Sequence, residues 1–97
     1  MTSKQRAYLR SLANNIDAIF QVGKNGISDN FINQINDALE SRELIKISVL
    51  ETAPEEILEI ANILANSTRS EIVQTMGSKI TLYRAREKNS KIILPKK

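Results

Sequence analysis

Apolar residues recur at helical spacing in three segments of this chain, and short runs of β-forming residues lie between and after these segments. The three helices are predicted over Ser3–Asn14, from a Ser28 cap to about Ser41, and from a Thr52–Glu55 capping box to about Thr68. The four strands are predicted over Ala18–Val22, Leu44–Leu50, Glu71–Met76 and Lys79–Arg84. The order α-β-α-β-α-β-β indicates an α/β (α+β) fold.

The connections between the strands constrain the sheet. A strand–helix–strand crossover favours parallel pairing, whereas the tight turn at Gly77–Ser78 predicts an antiparallel hairpin. We therefore expect a four-stranded mixed sheet with packed helices. In the second strand Lys46 and Ser48 alternate with apolar residues, so part of one sheet face is expected to be open to solvent.

The chain has 97 residues, enough for one domain that spans 1–97. Residues 85–97 form a basic C-terminal tail, in which Lys91–Leu94 could dock as a short edge strand. No internal repeat or linker divides the chain.

The absence of cysteine and histidine excludes several classes of chemistry. Disulfides, Cys/His zinc sites, thiolate nucleophiles and Ser-His-Asp triads all require one of these residues. Residues 1–15 lack the apolar run of a signal peptide, and no stretch approaches 18 apolar residues. We therefore expect a cytoplasmic protein with no membrane contact.

Charge is distributed unevenly along the chain, although the net charge is only +3. Residues 1–27 contain four basic residues against one acidic residue, 28–76 three against nine, and 77–97 seven against one. Basic ends around an acidic middle favour one surface that binds polyanions. A solvated basic tail without a partner is the alternative interpretation.

The segment Gly23-Lys24-Asn25-Gly26 joins a predicted strand to a predicted helix. Unpaired N–H groups at a helix N-terminus favour an anion, and glycines let a sugar-phosphate backbone approach closely. A GxxG loop of this kind clamps single strands in KH modules. The alternative is a purely structural turn. The segment matches neither a Walker A loop nor a dinucleotide fingerprint.

The last strand and the tail form a second candidate feature. If Ile80 and Leu82 point inward, then Lys79 and Tyr83 lie on the opposite face, where Tyr83 either stacks on a base or half-buries against a neighbouring strand. Basic side chains that can pair with phosphates follow it: Arg84, Arg86, Lys88 and Lys91. Arg6 and Arg10 share one face of the first helix and could extend this surface.

The acidic middle gives little sign of an active site. Glu55, Glu56 and Glu59 are predicted to lie on one solvated helix surface without a convergent partner. We expect no enzyme activity, catalytic residue, metal, cofactor or small-molecule substrate. Two alternatives remain: a protein–protein adaptor that contacts basic ribosomal proteins through the acidic middle segment, and a carboxylate-metal nuclease.

An ordered set of short motifs resembles the CRM domain (chloroplast RNA splicing and ribosome maturation), in its bacterial stand-alone, YhbY-like form. The motifs are Gln5–Leu12, Val22–Ile27, Glu43–Ile47, Val73–Gly77, Leu82–Arg84 and Leu94–Pro95. The resemblance implies the fold of the C-terminal domain of translation initiation factor three. It also implies an RNA-binding protein that associates with precursors of the large ribosomal subunit, with the family's GxxG loop at 23–26 and its basic strand end at Tyr83–Arg84.

Two departures from the family pattern imply a weaker electrostatic clamp at the loop: Asn25 replaces a basic residue, and Asp29 adds a negative charge. With the resemblance included, we expect a monomer that binds rRNA through the following residues: Lys4, Arg6, Arg10, Gly23, Lys24, Asn25, Gly26, Ser28, Lys79, Tyr83, Arg84, Arg86, Lys88 and Lys91.

Overall fold

A four-stranded mixed sheet with helices on both faces organises the chain. The computed structural model describes residues 1–86 and 92–95. Its elements are α1 (Ser3–Ala13), β1 (Phe20–Val22), α2 (Asp29–Arg42), β2 (Leu44–Val49), α3 (Ile57–Thr68), β3 (Glu71–Met76) and β4 (Lys79–Tyr83). The predicted fold class and element order are confirmed.

The strand order in the sheet is β1-β2-β4-β3. β1 pairs in parallel with β2, as expected for strands joined by a helical crossover, and β4 pairs antiparallel with both β2 and β3. β4 therefore lies between the two strands that α3 connects. This central position makes β4 the most buried strand, with four of its five residues inaccessible.

The two sheet faces carry separate apolar cores. α2 and α3 cover one face, where Leu39 and Leu64 pack against Ile47, Ile80 and Leu82. α1 covers part of the other face with a smaller cluster: Leu9, Ala13, Leu44, Val73 and Tyr83. Because α1 also buries apolar residues on its face, the sheet lies between two helix layers, even though β2 alternates apolar and polar residues.

Local capping signals predict two of the three helix starts correctly. The Thr2 hydroxyl accepts the Gln5 N–H at 3.1 Å, and the Gln5 side chain accepts the Thr2 N–H, which forms a capping box at α1. The Ser28 hydroxyl accepts the Phe31 N–H at 3.0 Å and begins α2.

The predicted start of α3 at Thr52 is wrong. Glu56 is the N-cap, and α3 begins at Ile57. The Ala53 N–H donates to the Leu50 carbonyl at 3.0 Å, so the chain turns as it leaves β2 for the helix layer. The residues that the local capping pattern assigns to the helix instead form the connection from the sheet to the helix layer.

The tail follows the α1 face of the sheet without forming a strand in residues 92–95. Ile92 and Leu94 pack against the smaller core, and the Gln5 side chain donates to the Pro95 carbonyl at 3.1 Å. The predicted edge strand is therefore absent from residues 92–94, and Lys91 lies outside the described residues. No helix within residues 1–86 and 92–95 has the length and apolarity to cross a membrane.

Candidate nucleic-acid interface

The glycine loop forms a tight turn at the end of β1. The Gly26 N–H donates to the Gly23 carbonyl at 2.9 Å, and Gly26 has a φ of 66°. Lys24 and Asn25 occupy the tip of the turn and are exposed. The loop therefore presents one cation and one amide to solvent.

The Gly26→Ala substitution is expected to destabilise the protein more than Gly77→Ala. Both glycines have positive φ, 66° and 58°, which costs an alanine about 1–2 kcal/mol. A Cβ on Gly26 would lie 3.2 Å from Pro54 Cγ, whereas one on Gly77 meets nothing within 4 Å. Urea unfolding measures both losses, and equal values would contradict the packing of Pro54 on the loop.

Ser28 contributes to the loop mainly as a helix cap. Its hydroxyl is occupied by the Phe31 N–H, so α2 has fewer free donors for an anion than the sequence suggests. The exposed Asp29 carboxylate follows directly in the first turn. Phosphate binding at this point therefore depends on Lys24 and the loop backbone more than on the helix N-terminus.

The structure separates the two features that the sequence analysis combines in one site. Lys79 pairs with Ser48, and the Val49 N–H donates to the Ser78 carbonyl, so the hairpin turn lies at the same end of the sheet as the glycine loop. Tyr83 pairs with Leu44 at the other end. Four residues of strand correspond to about 13 Å, so Lys79 and Arg84 belong to different ends of the domain.

Tyr83 does not lie on an open face. Its side chain is 5% exposed and packs beneath α1 with Leu9, Ala13 and Val73. Burial raises the pKa of the Tyr83 phenol, and the nearby carboxylate of Glu43 raises it further. The interpretation of Tyr83 as a base-stacking platform is therefore wrong for this conformation, because α1 occupies the place of the base.

Arg84 is engaged inside the domain. One guanidinium nitrogen donates to Asn36 Oδ1 at 2.8 Å and to the Thr68 carbonyl at 2.7 Å. The other donates to the Asn36 carbonyl at 3.1 Å and lies 3.4 Å from Glu40 Oε2. The prediction that Arg84 pairs with phosphate conflicts with these contacts, since the guanidinium already joins α2, the C-terminal end of α3 and β4.

The basic residues of α1 divide into anchored and exposed groups. Arg6 donates to the Ile72 carbonyl, next to the register shift in β3. Lys4 and Arg10 are exposed. Arg6 therefore fixes α1 on the sheet, and Lys4 and Arg10 keep their charges available to a partner.

The orientation of α1 follows from the tail. Gln5 and Leu12 contact the tail on one flank of the helix, at the Leu44 end of the sheet. Arg6 and Arg10 lie one turn apart on the other flank, by helical geometry. On that flank the Arg6 guanidinium reaches Ile72, which pairs with Leu82 toward the Tyr83 end of the sheet.

Polar side chains of β2, β3 and β4 lie on the α1 face of the sheet, where Ser48 is buried and Lys79 is exposed. Lys46, Ser48, Gln74 and Lys79 point to the α1 side because paired residues share a face, and we call them the polar sheet face. Lys79 Nζ donates to Ser48 Oγ at 3.1 Å. The sequence analysis names only Lys79 of these four as a site residue. The alternation of Lys46 and Ser48 with apolar residues in β2 is the sequence pattern that indicates the other two lysine- and serine-bearing positions of this face.

Only part of the predicted basic tail lies among the described residues. Arg86 is half-buried, and its Nε has no hydrogen-bond acceptor among the described residues. Lys88 and Lys91 lie outside the described residues. Of the candidate residues, Lys4, Arg10, Lys24 and Lys79 are exposed, whereas Tyr83 is buried and Arg84 is hydrogen-bonded within the domain.

The acidic residues of the middle segment lie before and at the start of α3. Glu56 and Glu59 are exposed at the start of α3, as predicted. Glu55 differs, because its Oε2 is shielded from solvent near Gly26. Within the described part of the chain, no group of three or more carboxylates is arranged to hold a metal ion.

Known proteins are similar to this chain in sequence and in fold. Residues 1–84 match the family model described as the CRS1/YhbY (CRM) domain. "Probable RNA-binding protein YqeI" of Bacillus subtilis is 48% identical over 95 residues, which cover 98% of this chain and 99% of YqeI. An RNA-binding protein of Haemophilus influenzae is 34% identical over 97 residues, which cover 100% of this chain and 97% of that protein.

A solved structure supports the same assignment. The solution structure of Staphylococcus aureus SAV1595, described as a candidate RNA-binding protein, superposes with a TM-score of 0.82 at 54% identity. The match covers 98% of this chain and 99% of that one. The resemblance drawn from the sequence motifs is thus confirmed, and the chain belongs to the CRS1/YhbY (CRM) domain family.

Proposed function

We propose that this chain is a non-enzymatic RNA-binding protein that contacts rRNA in precursors of the large ribosomal subunit, as a cytoplasmic monomer. RNA binding is supported by the names of the relatives and by family membership. The ribosomal target rests on the motif resemblance alone. No step of bond making or breaking is part of the proposal.

The observation that carries the proposal is a set of exposed cations outside the acidic helices α2 and α3. Lys4 and Arg10 lie on α1, Lys24 on the glycine loop and Lys79 at the start of β4, and all four side chains are exposed. Exposed carboxylates lie on α2 and α3: Asp29, Asp37, Glu40 and Glu59. A polyanion is attracted to the cations and repelled by the carboxylates, which orients the protein on RNA.

We assign a role to each group of exposed cations. Lys24 and the backbone of the glycine loop hold a phosphate, because the loop tip is exposed and glycine leaves room for a sugar-phosphate chain. Lys4 and Arg10 bind further phosphates and set the orientation. The exposed Lys79 and the half-buried Gln74 of the polar sheet face add a further cation and an amide for RNA.

The Lys24→Glu substitution is expected to weaken binding to a structured large-subunit rRNA fragment and to reduce its salt dependence. Loss of one phosphate contact lowers the log–log salt slope by about 0.7–0.9. Fluorescence anisotropy across a salt series measures both quantities. Arg42→Glu is the matched control, because it makes the same charge change at the exposed C-terminal end of α2.

The proposal requires a smaller slope in Lys24→Glu than in Arg42→Glu. Equal slopes in both variants would show that net charge alone governs binding, and the glycine loop would lose its role. Unchanged affinity in both would favour the adaptor alternative. An exposed apolar residue supports the adaptor alternative: Leu58 lies beside the carboxylates of α3 and is 60% exposed.

A further inference from the structure

A cavity of about 370 Å³ lies between the segment that follows β2 and the hairpin turn of β3 and β4. Its apolar lining comes from Val49, Leu50, Ala53, Pro54 and Ile57, and its far wall from Gly77 and Ser78. The volume is at the lower end of the range for small-ligand sites. The cavity adjoins the glycine loop, since a Cβ on Gly23 would lie 3.5 Å from Leu50 Cδ1.

The polar lining of this cavity is acidic. Glu51, Glu55 and Glu56 all contribute to it. Three carboxylates at an opening of this size repel a phosphate group, so the occupant must be neutral or cationic where it enters. Carboxylates that hold no metal ion accept hydrogen bonds only, and the occupant must therefore carry N–H or O–H donors.

Glu55 is distinguished from the other two carboxylates by its surroundings. Its Oε2 is shielded from solvent and has no hydrogen-bond donor among the described residues. The same oxygen would lie 3.4 Å from a Cβ on Gly26, so Glu55 stands between the glycine loop and the cavity. A shielded acceptor without a donor is costly for the free protein, and a ligand that supplies donors removes this cost.

We propose that the cavity binds a guanine base of the RNA and that the Glu55 carboxylate accepts hydrogen bonds from its N1–H and N2–H groups. This inference rests on the proposed RNA-binding function and adds base specificity to it. Guanine presents two parallel donors that match two carboxylate oxygens, whereas adenine and cytosine present one amino group each. The apolar lining contacts the faces of the base.

The neighbouring glycine loop places a phosphate site next to the base site, so that one nucleotide contacts both. Lys24 lies on the loop whose Gly26 contacts Pro54 and Glu55, so a phosphate bound at the loop leaves its base close to the cavity. Glu55 lines the cavity and also lies beside Gly26, so its carboxylate is between the loop and the base. Cation and carboxylate then bind different parts of the same RNA strand.

The test compares short U-rich oligoribonucleotides that carry a single central guanine, inosine or uracil, with binding measured by fluorescence anisotropy. Inosine lacks the 2-amino group and so removes one of the two donors. The wild-type protein is expected to prefer guanine over inosine by about fivefold or more. Glu55→Gln is expected to lose this preference, while Glu59→Gln, exposed on α3 outside the cavity, keeps it.

Equal affinities for the three oligonucleotides in the wild type would overturn the inference, as would an unchanged preference in Glu55→Gln. Displacement of the guanine oligonucleotide by a short arginine-rich peptide, in the wild type but not in Glu55→Gln, would assign the cavity to a protein side chain instead. The Lys24→Glu variant separates the two proposals. A loss of affinity equal for all three oligonucleotides supports RNA binding at the loop whatever the base preference.

Discussion

Leu9→Ala is expected to lower the free energy of unfolding by about 3 kcal/mol. Leu9 is fully buried and is the central α1 residue of the smaller core. Truncation of a buried leucine costs about 2–5 kcal/mol, because apolar contacts are lost and a cavity remains. For a domain of this length, a loss of 3 kcal/mol lowers the Tm by about 12–24 °C. Urea and thermal unfolding measure the effect.

Leu58→Ala provides the matched control for this prediction. Leu58 is 60% exposed on α3, so the same change of side chain should cost less than about 1 kcal/mol. Similar losses at the two positions would mean that α1 does not pack on the second sheet face. In that case Tyr83 would be accessible to a base after all, and the first interpretation of its role would return.

Arg84→Ala is expected to lower the free energy of unfolding by about 2–3 kcal/mol. The substitution removes hydrogen bonds from a charged donor to Asn36 and to the Thr68 carbonyl at the end of α3. The pair with Glu40 adds little, because that carboxylate is 71% exposed. Arg84→Lys should recover only part of the loss, since an ammonium group cannot bridge the same acceptors in a plane.

Arg10→Ala is the complementary variant. Comparison with Arg84→Ala distinguishes an arginine that binds RNA from one that stabilises the fold. Arg10 is exposed on α1, so its loss should leave the unfolding free energy within about 0.5 kcal/mol of the wild type while weakening RNA binding. Arg84→Ala should show the reverse, with RNA affinity retained at a temperature where the variant is folded. RNA affinity lost in Arg84→Ala under folding conditions would place Arg84 back in the interface.

Local sequence signals account for much of the candidate site. The glycine loop, its exposed Lys24 and the exposed Arg10 were all predictable, because turns and helix faces depend on neighbouring residues. The polar sheet face was only half predictable. Alternation in β2 shows that Lys46 and Ser48 face away from the larger core, but only the pairing of β4 with β2 places Lys79 beside Ser48.

Local reasoning fails at two residues that precede α3. Thr52 has the local pattern of a helix cap, yet it lies in the turn after β2, and Glu56 is the N-cap of α3. Glu55 has the pattern of a solvated helix residue, yet its Oε2 is shielded from solvent beside Gly26. A window of neighbouring residues does not contain the packing of Glu55 beside the glycine loop.

The sequence by itself determined the order of the elements, the mixed sheet and the family, because helical spacing, strand alternation and turn residues are properties of adjacent positions. Only the tertiary structure decided that β4 inserts between β2 and β3, that α1 covers Tyr83, and that Arg84 joins α2 to α3. The physical reason is that burial and hydrogen-bond competition between remote segments determine which polar side chains remain free. The predicted basic strand end thus became part of the interior, and the basic side of α1 and the glycine loop remained for a partner.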